Sequence, residues 1–428
     1  MMNIKKLLKN QVFANMRWLV SGRILQMAIA LVINMITARY LGVNNYGIIN
    51  YVASYVSFFT PICSLGLESI IIKELVDKPD KQGETIGTAM GMRVISSILS
   101  MAAILVFLVV LDNGNRVMLG VAFVQSMILV FNSSVLFEFW YLSRFESKVS
   151  VSVRTVGYLI TAVYKIAILV FQKSIYWFAF TNTLDMIIAF IFLMIVYKKS
   201  GGQKLVFNIN TGKKMLKISY NFIVSGLMVA VYAQMDKIML GKMLDTYTVG
   251  LYSVGIYICS LWNFIPDSMI ASLRPGVMEA KKVSEEIYRK KLKQMYALII
   301  WISILYAACV CIFSKYIILI LYGKEYLGAR TPLMIAVWYC GFSLMGSARD
   351  VWIICEGHQK YSKWFALIGA VTNFGLNLLL IPRIGMIGAA IATLTTQIMT
   401  GFIVTLFFKN TRENNKFLIE AFMLKGVK

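Results

Sequence analysis

The residues whose chemistry stands out are charges set inside long apolar runs. Arg23, Arg93, Lys165 and Lys237 are cations at depth, with Arg154 and Arg349 nearer an end. The anions are Glu138, Asp185, Asp236, Asp267 and Asp350. A charge at the centre of a membrane helix costs about 2.5–3.5 kcal/mol on insertion scales, so each needs water, a countercharge or a ligand. Helical spacing groups them. Arg154, Tyr158, Thr161 and Lys165 share a face, and so do Arg93, Ser96, Ser97 and Ser100. Ser225, Val229, Tyr232 and Asp236 form a third stripe, with Lys237 turned about 100° from Asp236. Arg23, Ala30 and Asn34 align on another. Cationic stripes converging on a wet cavity suit an anionic ligand such as a phosphate or diphosphate. The substrate-binding candidates are therefore Arg23, Lys165, Lys237, Arg93, Asp236 and Arg349. Asp185, Asp267 and Glu138 are the candidates for ion coupling, since a buried carboxylate can take up and release a proton. Other roles stay open. Arg154, Arg349 and Glu138 lie near cytoplasmic ends, where long side chains snorkel. Asp236–Lys237 and Arg349–Asp350 also read as structural pairs.

The elements that must position these residues are membrane helices. Of 428 residues, 59% are hydrophobic and 15% charged, against roughly 25% charged in an ordinary soluble domain. Lys plus Arg is 43 and Asp plus Glu 20, a net charge of +23. So apolar a chain is neither a soluble nucleic-acid binder nor disordered. About twelve apolar runs approach the ~20 residues that cross a bilayer. They cover roughly 15–37, 46–66, 86–110, 117–141, 151–171, 175–197, 219–242, 248–272, 296–322, 331–355, 361–381 and 385–408. Alternate loops hold roughly 28 basic residues against 7, an asymmetry that places both termini in the cytoplasm. No cleavable leader is expected, because the first apolar run carries Arg17 and Arg23.

The chain repeats itself. Val20-Ser21-Gly22, Leu41, Gly47 and Pro61 have counterparts in Val224-Ser225-Gly226, Leu244, Gly250 and Pro266, an offset of about 203 residues. Six spans per half predict parallel repeats with a site between them. The expected organisation is an N-terminal lobe over 1–200, a Lys-rich linker over 201–217, a C-terminal lobe over 218–410 and a cytoplasmic tail over 411–428. The segment Arg274–Lys293 reads as a cytoplasmic amphipathic helix or loop that anionic head groups would attract. Gly87 and Gly91 read as a small-residue surface for close helix packing. The six Cys all fall in apolar runs, so no disulfide framework is expected. No phosphate loop, dinucleotide turn or metal-ligand spacing occurs in the sequence, and no cofactor is expected.

Four segments now read together: Ala38-Arg39-Tyr40-Leu41-Gly42-Val43-Asn44-Asn45-Tyr46-Gly47; Met235-Asp236-Lys237-Ile238-Met239-Leu240-Gly241 with Val249-Gly250-Leu251-Tyr252; Leu321-Tyr322-Gly323-Lys324-Glu325-Tyr326; and Asn373 through Leu376-Asn377 and Leu380-Ile381-Pro382 to Gly385-Met386-Ile387-Gly388-Ala389-Ala390-Ile391-Ala392-Thr393. Their order and spacing resemble the O-antigen-type polysaccharide flippases of the multidrug/oligosaccharidyl-lipid/polysaccharide exporter superfamily, over essentially the whole chain. The resemblance implies an all-α fold of two parallel six-helix lobes around a central cavity in a bacterial inner membrane. It implies transfer of an undecaprenyl-diphosphate-linked oligosaccharide from the cytoplasmic to the periplasmic leaflet by alternating access. Membrane lipids, a polysaccharide polymerase and a chain-length regulator are the implied partners, and no nucleic acid is. Asp236 and Lys237 match a span-7 motif of the family, and Arg23 resembles a span-1 cavity cation of related lipid flippases. No further spans are expected after residue 408, where the peptidoglycan-precursor branch carries two more. Two rivals remain: a cation-coupled multidrug or other lipid exporter of the same superfamily, and a membrane polysaccharide polymerase.

Overall fold

The computed structural model describes the backbone of residues 2–112 and 114–426, and within that range the side chains from residue 29 onward. The side chains of Arg23 and of the Val20-Ser21-Gly22 segment lie outside the described ones. The elements are α1 (Met2–Ser64), α2 (Glu68–Asp77), α3 (Gln82–Leu111), α4 (Arg116–Phe131), α5 (Val135–Ser143), α6 (Ser147–Val170) and α7 (Ile175–Lys199). They continue with α8 (Ile209–Met243), α9 (Thr246–Val283), α10 (Glu285–Leu321), α11 (Arg330–Cys355), α12 (Ser362–Ile398) and α13 (Glu413–Phe422). No strand occurs among the described residues.

Ten helical segments among the described residues are long and apolar enough to cross a membrane. Two of them hold a break where the sequence separates two spans. In α1, Gly42 (φ 71°, ψ 170°) falls between the expected spans 15–37 and 46–66. In α12, Ile384 and Gly385 (φ 59°, ψ −138°) fall between 361–381 and 385–408. Glycine takes a positive φ without a Cβ clash, so one helix ends and the next begins with no loop between them. The turn after α8, which the sequence pairs with the one at Gly42, uses different chemistry. There Asp245 caps α9, its side chain accepting from Thr248 N–H at 2.7 Å.

The segment Arg274–Lys293 is not an independent element. The 38 residues of α9 span about 57 Å, well beyond the ~30 Å apolar slab. It runs on to Val283, and α10 begins at Glu285. Ser284 alone separates them, and its side chain accepts from Glu286 N–H at 3.3 Å.

The glycine surface of α3 does not receive a helix. It is filled by the extended stretch 202–208 that follows α7. A Cβ on Gly87 would lie 2.6 Å from the backbone N and O of Val206, and one on Gly91 2.7 Å from the Phe207 ring. Hydrogen bonds hold the strap along its length. Gly83 N–H donates to Gln203 Oε1 (2.9 Å), Val206 N–H to Gly83 O (3.3 Å), Asn208 N–H to Thr88 Oγ1 (3.0 Å) and Thr211 Oγ1 to Glu84 Oε1 (2.6 Å). A row of glycines guarantees close approach, and an extended backbone uses the exposed polar groups better than a second helix would.

The chain divides into two compact units, residues 1–227 and 228–428, with the boundary inside α8. The first is organised around Phe137, Trp140, Tyr141 and Tyr197, the second around Tyr288, Leu292, Tyr296 and Trp352, all essentially buried.

Candidate functional site

Each unit contains a group of buried polar side chains centred on a charge among the described residues. In the first unit three helices meet at Arg154 of α6. Its Nε lies 3.6 Å from Glu138 Oε1 of α5, and its Nη1 lies 3.4 Å from Asp185 Oδ2 of α7. The Met186 sulfur accepts from Nη1 at 3.4 Å, and the Tyr158 ring centroid is 6.0 Å away. Gly157 lets Asp185 come close, since a Cβ there would sit 3.3 Å from Asp185 Oδ1. That oxygen and Glu138 Oε1 have no hydrogen-bond partner. One guanidinium thus faces two carboxylates, and its contacts are ion pairs longer than hydrogen bonds. Lys165, on the same face of α6, is half-buried and makes no ion pair among the described residues.

The serines expected beside Arg93 tie helices together. Ser96 Oγ donates to Ile62 O of α1 and Ser97 Oγ to Leu129 O of α4, each at 2.9 Å. Arg93 itself is buried 6.0 Å from the Phe139 ring centroid, and its Nε has no hydrogen-bond partner.

In the second unit the centre is Asp236 of α8. Tyr252 OH donates to its Oδ2 at 2.6 Å, and Thr393 Oγ1 bonds the same oxygen. Asn377 Nδ2 and Asn373 Nδ2 donate to Oδ1 at 2.6 and 3.1 Å. Asn377 Nδ2 also reaches Asn373 Oδ1 at 3.0 Å. Tyr252 and Thr393 lie 3.2 Å apart. The carboxylate is buried with no cation within ion-pair distance among the described residues. Four neutral donors stabilise its charge in place of a countercharge. Every partner also carries an oxygen lone pair, so the same groups, turned, offer a small hard cation an all-oxygen set.

The remaining candidates lie apart from these groups. Lys237 is half-buried and, although next to Asp236 in sequence, makes no ion pair with it. Arg349 is buried. It pairs with Asp350 at 3.0 Å, lies 4.6 Å from the Phe365 ring centroid, and bonds the carbonyl of Thr400. That carbonyl belongs to a π-helical turn, Met399–Ile403, whose widened hydrogen bonding leaves carbonyls to be satisfied from outside. Asp267 is exposed on α9 beside Pro266. Among the described residues no three His, Cys, Asp or Glu side chains converge as metal ligands. The sequence reading gave no role to Tyr252, Asn373, Asn377 or Thr393. Two amides four residues apart in an otherwise apolar helix were the available signal.

Long apolar helices in two units, each with buried charge, define a multi-pass membrane protein. The chain belongs to the polysaccharide biosynthesis protein family, whose model matches residues 12–275. It is 21% identical to the capsular polysaccharide biosynthesis protein CapF of Staphylococcus aureus, over 92% of this chain and 98% of that one. Its fold is similar to that of the lipid II flippase MurJ in an inward closed conformation. There the TM-score is 0.74 at 13% identity, covering 95% of this chain and 92% of the other. It is also similar to an inward-facing multidrug resistance MATE family transporter of the MOP superfamily. That match has a TM-score of 0.68 at 13% identity, covering 92% and 96%. The two-lobe, all-helical transporter fold anticipated from the sequence is therefore the fold of this chain.

Proposed function

We infer that the protein flips an undecaprenyl-diphosphate-linked oligosaccharide from the cytoplasmic to the periplasmic leaflet of a bacterial inner membrane, for assembly of O-antigen or another surface polysaccharide. Membership in the polysaccharide biosynthesis family carries this reading. Buried cations supply the recognition. Lys165 has no ion-pair partner among the described residues and Arg93 keeps an unspent Nε, as groups waiting for a diphosphate would. Arg23, Lys237 and Arg349 are the further cations of the substrate path. Asp236, a substrate-binding candidate by sequence, is assigned instead to ion coupling beside Asp185, Asp267 and Glu138, because the oxygens around it can exchange protein donors for a cation. Alternating access moves the head group while the lipid tail stays in the bilayer. A polymerase and a chain-length regulator act on the product, and both termini face the cytoplasm.

The experiment is deletion of the gene followed by a leaflet assay. Lipid-linked repeat units should accumulate, shielded from an impermeant probe on the periplasmic side. Accumulation of periplasm-exposed single units would instead identify a polymerase, and unchanged surface glycan would favour a multidrug exporter.

A further inference from the structure

The second unit contains an apolar cavity of about 350 Å³ between α10, α11, the π-helical turn and α13. Ala307, Gly341, Met345, Phe402, Leu418 and Phe422 are among its lining residues. The hydroxyl of Ser303, also in the wall, is spent on Ile299 O at 2.7 Å. Such a wall offers a polar ligand almost nothing and a hydrocarbon chain a great deal. Apolar cavities of about 150 Å³ already stay dry and take a benzene-sized guest.

The wall is a fixed one. α13 is fastened across α10 by Tyr296 OH to Asn414 Oδ1 (2.6 Å), Arg289 to Glu413 (3.1 Å) and Lys293 to Glu420 (3.3 Å). Asn415 Nδ2 donates to Phe402 O at 2.7 Å, joining the same helix to the π-helical turn. At the rim Trp301 and Phe422 stack with centroids 5.8 Å apart and planes 3° from parallel. Both are about half exposed, as are Ile419, Met423 and Leu424. The rim therefore opens to the bilayer, with a Trp where interfacial Trp residues collect.

One side of that rim is cationic. Residues 285–293 and 409–426 hold eight basic side chains against four carboxylates. Three carboxylates, Glu285, Glu413 and Glu420, are already paired with bases. Lys290, Lys416 and Lys425 are exposed and make no ion pair among the described residues. Lys290 precedes the first lining residue on α10, Ile300, by ten positions, about 15 Å along the helix. A basic collar one to three turns from an apolar slot complements an anionic head group and its chain.

We propose that this groove is a binding site for an anionic bilayer phospholipid, one acyl chain in the cavity and its phosphate on Lys290, Lys416 and Lys425. The site is independent of the flipping reading, and its test reads lipid retention rather than transport. The full chain in detergent is titrated with phosphatidylglycerol, with phosphatidylcholine of the same chains, and with undecaprenyl phosphate, and bound lipid is counted by native mass spectrometry. Phosphatidylglycerol should be retained several-fold over phosphatidylcholine. Ala307→Phe, which fills the slot, should abolish the difference, and K290Q/K416Q/K425Q should lower phosphatidylglycerol to the phosphatidylcholine level. If the filled variant fails to fold, phosphatidylglycerol with brominated chains still reads the site. It should quench the wild-type tryptophan fluorescence, and W301F/W338F should remove most of that quenching. Equal retention of the two phospholipids overturns the proposal. So does displacement of phosphatidylglycerol by undecaprenyl phosphate, which would give the groove to a polyprenyl chain.

Discussion

Both units bury carboxylates in apolar surroundings, and they stabilise them by opposite means. In the first unit Glu138 and Asp185 share one guanidinium at 3.6 and 3.4 Å, and each keeps an oxygen without a hydrogen bond. In the second, Asp236 has no cation within ion-pair distance among the described residues and accepts from hydroxyls and amides, two of its bonds at 2.6 Å. The first arrangement is long-ranged and tolerant of geometry, because Coulomb attraction falls slowly with distance. The second is short-ranged and directional, and it loses most of its stabilisation if a helix shifts by an ångström. The first arrangement can reorganise around a neighbouring charge, whereas the second holds only for one relative placement of the helices that supply its donors.

The comparison breaks most visibly at Asp236. Asp236→Ala removes the common acceptor of four donors and should destabilise the protein by ~3 kcal/mol or more, read as a fall in thermal midpoint in detergent. Arg154→Ala should cost about 2 kcal/mol by the same measurement. That is less than the ~3–5 kcal/mol of a fully buried pair, because these side chains are 12–29% exposed. Adding Glu138→Gln to Arg154→Ala should return part of the loss, since one carboxylate then no longer opposes the other. No second substitution among its neutral partners should rescue Asp236→Ala in this way. Thr393→Val, which removes one of four donors, should cost about 1 kcal/mol. Lys165→Gln should leave stability within ~0.5 kcal/mol, because no ion pair among the described residues depends on it.

The buried charges were legible because a charge inside an apolar run is conspicuous whatever its partner. Their partners were not. Asp236 is separated from Asn373, Asn377 and Thr393 by 137, 141 and 157 residues, and periodicity along one helix carries no information about another. Glu138, Arg154 and Asp185 come from three helices for the same reason. The breaks at Gly42 and Gly385 were legible as gaps between spans, whereas the absence of any loop depends on backbone angles that only glycine reveals. Gly87 and Gly91 announced a close approach but not its occupant, because a small-residue stripe receives a strap as readily as a helix. Hydropathy gave the apolar parts of α9 and α10 but not the extensions that join them around Ser284, which are charged and helical at once.

The central claim is that cations set within the apolar spans carry a diphosphate-linked glycan across the bilayer. It is tested most directly in proteoliposomes containing the lipid-linked oligosaccharide, by the fraction of glycan that becomes accessible to an impermeant modifying reagent. Wild-type protein should expose inner-leaflet glycan beyond the level of protein-free vesicles, and R23Q/K165Q, inserted in equal amount, should not. Equal exposure by wild type and the double variant would contradict the account.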